Sequence, residues 1–173
     1  MLLLFRFIAV MIASFFRPRI DPLGESVVPF TVLPTDCDLN VHVNAGRYLS
    51  FMDVTRVELL GRTRLFRKVM SRGWRPIAGG AVVRFRRSLL PFERFTIRSR
   101  VIGWDEKWFY FEHLIERNGD LCVTGHARVL LRHLKKKENI PTRAFLELAG
   151  IAHRPAPELP EFVKQWRDAE NAR

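Results

Sequence analysis

Residues 35–53 read TDCDLNVHVNAGRYLSFMD, and the fold turns on how this stretch is parsed. Asp36, Asp38, Asn40, His42 and Asn44 crowd the first part. Immediately after them Tyr48, Phe51, Met52, Thr55 and Leu59 recur at the i, i+3, i+4, i+7, i+11 spacing of one helix face. Asn44 is the natural N-cap, because its side chain can accept a bond from a first-turn N–H that has no partner within the helix. The periodicity predicts a helix running to about Met70, ended by Ser71-Arg72-Gly73. Upstream, Asp38, Asn40, His42 and Asn44 alternate with Leu39, Val41 and Val43. In an extended segment the four polar side chains would share one side, and the three apolar ones would anchor the other.

That arrangement has a chemical reading. A carboxylate, an amide and an imidazole would stand beside the free N–H groups of a helix start, which can stabilise a carbonyl oxygen as it gains negative charge. Such a set suits hydrolysis of an activated acyl group. Asp36 is assigned instead to the loop backbone or the helix dipole. Cys37 has no His/Asp pairing around it to make it a nucleophile. Asp36, Asp38 and His42 lack a second cluster of metal ligands, so no metal is expected. His113, His126, His133 and His153 stand alone and are read as structural or surface residues.

Working outward, Ser26–Leu33 reads as a strand leading into the polar corner, and Pro34 opens the loop. From Trp74 to about Leu134 the chain looks extended. Phe95, Ile97, Ser99 and Val101 alternate with Thr96, Arg98 and Arg100, the period of a strand with one wet face. The apolar runs 108–115 and 121–131 flank Asn118-Gly119, a hairpin signal. Two short helices are predicted after Lys135–Lys137, one at about 142–149 ended by Gly150 and one at about 159–170 beyond the Pro155, Pro157 and Pro160 cluster. One long helix against a curved antiparallel sheet is an α+β architecture.

At 173 residues with 14 Phe and 4 Trp, the chain can build one well-filled core, and two cysteines imply no disulfide framework. A reducing compartment, hence the cytoplasm, is expected. The net charge of +11 is concentrated: 13 Lys or Arg lie between Arg56 and Arg100 against Glu58 and Glu93, a difference of 11. Such a sector can meet nucleic acid, an anionic membrane, an acidic carrier protein or a phosphorylated ligand such as coenzyme A, or simply be a solvated surface. No RNA- or DNA-binding module accompanies it, so nucleic acid is not expected. The first sixteen residues, MLLLFRFIAVMIASFF, are apolar except for Arg6 and Ser14. They are marginal for a spanning helix of about 20 residues. Two readings stay open: a membrane anchor or interfacial helix, and an apolar helix packed on the protein or on a partner subunit. Pro18, Pro22 and Gly24 mark a linker, dividing an N-terminal segment, 1–25, from a folded domain, 26–173.

The segment Asp38-Leu-Asn40-Val-His42-Val-Asn44 followed by Arg47-Tyr48-Leu49 resembles the motif of hotdog-fold thioesterases, the 4-hydroxybenzoyl-CoA and acyl-carrier-protein thioesterase relatives. Residues 86–112 and 157–172 are similar to thioesterase superfamily member-six-like proteins, which also begin with an apolar segment. The resemblance implies a hotdog fold, in which a curved antiparallel sheet wraps one long helix. It further implies hydrolysis of an acyl thioester, carried by coenzyme A or an acyl carrier protein, with no cofactor beyond the coenzyme A of the substrate. By position, Asp38 takes the part of general base or nucleophile, with Asn40 and His42 beside it. The main chain at Asn44, Ala45 and Gly46 would hold the thioester oxygen. Arg84, Arg86 and Arg87 would receive CoA phosphates, together with Arg98 and Arg100, and Tyr48, Phe51 and Met52 are candidate walls for the acyl chain or else plain core. Where relatives commonly read His-x-Asn-Asn, Ala45 follows Asn44 here. Hotdog domains resemble one another in pairing as dimers or tetramers, so a homodimer or homotetramer is expected, and 1–19 is a candidate for contact with a membrane surface.

Overall fold

The computed structural model describes residues 2–172, with side-chain surroundings from Phe5 onward. Helix α1 (Leu2–Phe16) precedes strand β1 (Ser26–Thr31), a single 3-10 turn at Pro34–Asp36, the central helix α2 (Ala45–Arg62) and the short α3 (Phe66–Ser71). Four strands follow, β2 (Trp74–Phe85), β3 (Arg94–Trp104), β4 (Phe109–Arg117) and β5 (Asp120–His133). Strand β6 (Glu138–Ile140) and helices α4 (Thr142–Ala149) and α5 (Glu161–Asn171) complete the chain. The strands form one antiparallel sheet in the order β1-β3-β4-β5-β2, with β6 paired to β5. This is the α+β hotdog layout: a curled sheet around one long helix.

The period-2 reading of β3 holds, since Phe95, Ile97 and Ser99 are buried against α2 while Arg98 and Arg100 face outward. Phe51 and Met52 of α2, both fully buried, meet Phe30, Phe95, Ile97, Ile115 and Val123 in the main core. The hairpin falls where Asn118-Gly119 placed it, with φ of 52° and 84°, the left-handed pair that a two-residue turn between twisted strands requires. Strand β6 has no counterpart in the sequence reading; three residues after a lysine run carry too little pattern. The helix expected to reach Met70 divides in two. Arg64 is left-handed at φ 64°, which ends α2, while Leu65 and Val69 continue the apolar spacing because they pack into a separate core cluster with Leu131 and Ile140.

Helix α1 is packed on α2. Gly61 allows the close approach, as a Cβ there would lie 2.2 Å from Ser14 Oγ. Arg64 donates to the Phe15 and Arg17 carbonyls at 2.7 and 3.2 Å, capping the α1 C-terminus with a cation where the helix dipole favours one. Arg17 donates to Glu58 at 3.1 Å, and Ser26 closes the same buried carboxylate. Arg62, one helical turn after Glu58, stands farther off at 3.9 Å. Among the described residues no helix is long and apolar enough to cross a membrane. On the opposite side of the sheet, α5 covers part of the outer face: Trp166 and Val163 cluster with Ile102, Trp108, Tyr110 and Leu130, and Arg128 lies between the Trp108 and Trp166 rings.

Candidate active site

The corner between β1 and α2 is built on Asp36. Its carboxylate is buried and accepts from the Leu33 N–H at 2.9 Å and from Arg6 of α1 at 2.6 Å, with Arg47 of α2 at 3.3 Å on the other oxygen. Its carbonyl accepts from Asn44 N–H at 2.9 Å. Two guanidinium groups thus neutralise Asp36 and leave it no capacity for chemistry or metal binding, in keeping with its structural assignment.

From that pin the chain makes a tight loop rather than an extended segment, which corrects the alternation reading. Cys37 and Val43 bridge as antiparallel partners, Asp38 N–H donates to His42 carbonyl at 3.0 Å, and Val41 turns the chain at φ 58°. Val43 is buried and its N–H donates to Leu89 carbonyl, but Leu39 is wholly exposed and Val41 is 61% exposed, so neither anchors the loop. A left-handed residue at 41 reverses the chain, and side-chain alternation does not survive a reversal. Asp38 and His42 are nevertheless brought together: Asp38 Oδ1 lies 3.6 Å from His42 Nδ1 and accepts from Asn40 N–H at 2.9 Å. Both side chains are partly exposed, and no guanidinium or ammonium group among the described residues pairs with Asp38. Asn40 is exposed.

Asn44 caps α2 as expected, its Oδ1 accepting from Gly46 N–H at 2.9 Å. The Gly46 N–H, expected to face the substrate oxygen, is therefore taken by the cap. The Ala45 N–H has no acceptor among the described residues and faces the exposed start of the helix.

The apolar space lies elsewhere along α2. A cavity of about 350 Å³ opens between the C-terminal half of α2 and the inner face of the sheet, walled by Val57, Leu60, Phe109, Phe111 and Val129, with Phe145 of α4 across from them. Asp53 and Arg56 are the charged groups of its lining, and Asp38, Asn40 and His42 are absent from it. Tyr48, Phe51 and Met52 are plain core, 3% exposed or less, not walls of this cavity. Burial pushes the Tyr48 hydroxyl up to about 12, so it stays protonated. From Ala45 to Asp53 is eight residues, about 12 Å along the helix axis, which separates cavity from corner within one chain.

The polar group behind the cavity escaped the sequence reading. Arg56 Nη1 is 3.1 Å from His113 Nε2, and His113 Nδ1 is 2.8 Å from Ser99 Oγ. Ser99 Oγ donates to Thr55 Oγ1 at 2.8 Å, which in turn donates to Met52 carbonyl at 2.9 Å. Because Arg56 can only donate and the Ser99 proton is spent on Thr55, the network assigns the ring proton to Nδ1 and leaves Nε2 as acceptor. Burial, with the Arg56 cation beside it, holds His113 well below its ordinary range, so it is neutral. Only the period-2 position of Ser99 on an inward face hinted at the network.

Of the basic candidates, Arg84 and Arg86 are exposed on or next to β2 with no ion-pair partner among the described residues, whereas Arg87 is paired with Asp120. Arg98 and Arg100 are engaged with Glu25 and Glu112, each at 2.8 Å.

A curled sheet around one helix, with an Asp/Asn/His corner at the start of that helix, defines the class: a hotdog domain bearing a polar corner. Over residues 32–167 the chain matches the model of the thioesterase-like superfamily, and it belongs to that superfamily. It is similar to protein THEM6 of Xenopus laevis, at 34% identity over 146 residues, which cover 84% of this chain and 69% of the frog protein. It is also similar to a probable thioesterase of Saccharomyces cerevisiae, at 27% over 124 residues, 68% of this chain and 52% of the yeast protein. The chain thus spans between about half and two thirds of the length of these relatives. Among solved structures, the YbaW probable thioesterase of Escherichia coli superposes with a TM-score of 0.66 at 18% identity, covering 73% of this chain and 96% of that one. A DHNA-CoA thioesterase from Staphylococcus aureus gives 0.68 at 14% identity, over 75% and 88%. At such identities the structural likeness speaks for the fold.

Proposed function

We propose that the protein hydrolyses acyl-CoA thioesters, fatty acyl-CoA foremost, to a free acid and coenzyme A. The observation that carries this reading is the state of Asp38: a carboxylate on a tight loop, beside His42 and the start of α2, held by one backbone N–H and neutralised by no cation among the described residues. Asp38 activates water, or attacks the thioester carbonyl itself. Asn40 and His42 orient the carboxylate and the reacting groups, and the Ala45 N–H at the helix start meets the developing oxyanion. Arg84 and Arg86, exposed and without an ion-pair partner among the described residues, receive the CoA phosphates. The apolar cavity beside the C-terminal half of α2 accommodates acyl carbon.

The separation of corner and cavity within one chain favours a site completed by a second copy. Strand β2 supports that reading. Among the described residues its twelve residues pair with β5 alone, and Ile77, Val82 and Phe85 are exposed along it, an edge of the kind that joins another strand. Because α5 already occupies part of the outer face of the sheet, around Trp108 and Leu130, two dimers cannot stack face to face through that part, which favours a dimer over a tetramer.

The test is release of free CoA from acyl-CoA esters of graded chain length, comparing wild type with Asp38→Asn. A fall of about a hundredfold or more in kcat/KM, with the melting temperature retained, is the expected outcome. Equal, slow turnover by both proteins, with acyl-CoA still bound, would instead favour a non-catalytic acyl-CoA carrier.

A further inference from the structure

Helix α1 is amphipathic inside out. Both of its flanking arginines point into the protein, Arg6 to Asp36 and Arg17 to Glu58, and Ser14 is fully buried against Gly61. Phe5, Ile8, Ile12, Phe15 and Phe16 are left on the other side, between 38% and 86% exposed. At 3.6 residues per turn these five fall within an arc of about 100°. A helix facing water would be expected to show the reverse pattern, so this stripe calls for an apolar medium or partner.

The charge around the stripe selects among occupants. Phe15 packs edge-on against Phe66 at 6.2 Å, which sets α3 beside the end of the stripe. Exposed Arg67 and Lys68 follow on α3, and exposed Arg19 follows α1, with no ion-pair partner for any of the three among the described residues. The sequence from Leu59 to Phe92 contains no Asp or Glu at all. An apolar stripe on the face of a single helix, bordered by cations without ion-pair partners among the described residues, fits the surface of an anionic phospholipid bilayer better than a groove-forming partner.

We propose that the outer face of α1 lies in the headgroup region of an anionic membrane while its inner face stays docked on α2, so that α1 is an interfacial helix and does not cross the bilayer. The N-terminal end of α1 is bonded through Arg6 to the corner that carries Asp38, so docking holds that corner beside the lipid surface, where long-chain acyl thioesters partition. That last consequence rests on the thioesterase reading; lipid docking does not.

Flotation of the full chain with phosphatidylcholine vesicles, with and without phosphatidylglycerol, tests the docking independently of any activity. Wild type is expected to float with the anionic vesicles and much less with the neutral ones. Ile8→Ser together with Ile12→Ser should lower vesicle binding at least about tenfold with an unchanged circular dichroism spectrum, because two apolar side chains no longer leave water. Arg67→Glu with Lys68→Glu should weaken anionic binding by about fivefold or more for each cation lost, and leave neutral binding alone. Absence of flotation with either vesicle, or flotation indifferent to the double Ile substitution, overturns the proposal. So does a drop in solution mass on that substitution without lipid, which would show that a second copy covers the stripe.

Discussion

Two polar clusters stand along α2, built from similar residue types and opposite in character. At the start of the helix, Asp38, Asn40 and His42 are partly or fully exposed and satisfy few of each other's bonds. Midway along it, Thr55, Arg56, Ser99 and His113 pass their protons in one direction from guanidinium to a main-chain carbonyl, with His113 neutral and completely buried. A saturated network fixes position, and an unsaturated one leaves lone pairs for a substrate. Asp36 and Asp38 repeat the contrast two residues apart, one clamped by two arginines and the other left open.

The contrast can be broken by measurement. The largest effect on stability is expected from Asp36→Ala, which strands Arg6, Arg47 and the Leu33 N–H around a vacated buried site. A loss of about 3–5 kcal/mol in chemical denaturation should result. The same change at Asp38 should cost almost nothing in stability; a comparable loss at both would show that the two carboxylates do not differ as described.

Next in size, His113→Leu removes the donor to Ser99 Oγ, whose own bond to Thr55 remains, and leaves one Arg56 N–H without an acceptor in the interior. Unfolding free energy should fall by about 1–3 kcal/mol, with CoA release per folded molecule little changed. If turnover collapses with stability intact, the buried cluster belongs to the reaction and the distinction fails.

Acid should distinguish the clusters without any substitution at the corner. His113 in the folded protein binds its proton well below 6.5, whereas the unfolded chain takes one up near that value. Below about pH 6.5 the unfolded state therefore holds the extra proton, and stability declines as pH falls, by up to about 1.4 kcal/mol per pH unit for this one group. Thermal unfolding between pH 7 and 5 should show that slope in wild type and a shallower one in His113→Leu. The smallest effect belongs to the loop tip. Leu39→Ser, at a fully exposed residue, should change stability by less than about 0.5 kcal/mol in the same assay.

Much of this arrangement can be read directly from the amino-acid order. The Asn44 cap, the β3 alternation, the Asn118-Gly119 hairpin and the end of α4 at Gly150 each depend on a few neighbouring residues whose local preferences agree with the final fold. The break at Arg64 was not legible, because Leu65 and Val69 keep the helical period while packing into a different cluster. The loop at 38–42 was misread for a related reason, since alternation describes straight segments and Val41 reverses the chain.

The sequence by itself determined that Asp38, Asn40 and His42 would gather before a capped helix, since nearness along the chain and the capping preference of Asn44 are local matters. Only the tertiary structure decided that Asp36 is the neutralised member of the group, because Arg6 reaches it from thirty residues away. The same holds for the link between Arg56 on the helix and His113 on a strand, and for the apolar outer face of α1, whose exposure depends on which side of that helix α2 occupies. Long-range contacts decide which polar groups are spent and which apolar ones stay uncovered, and no spacing within the chain records that.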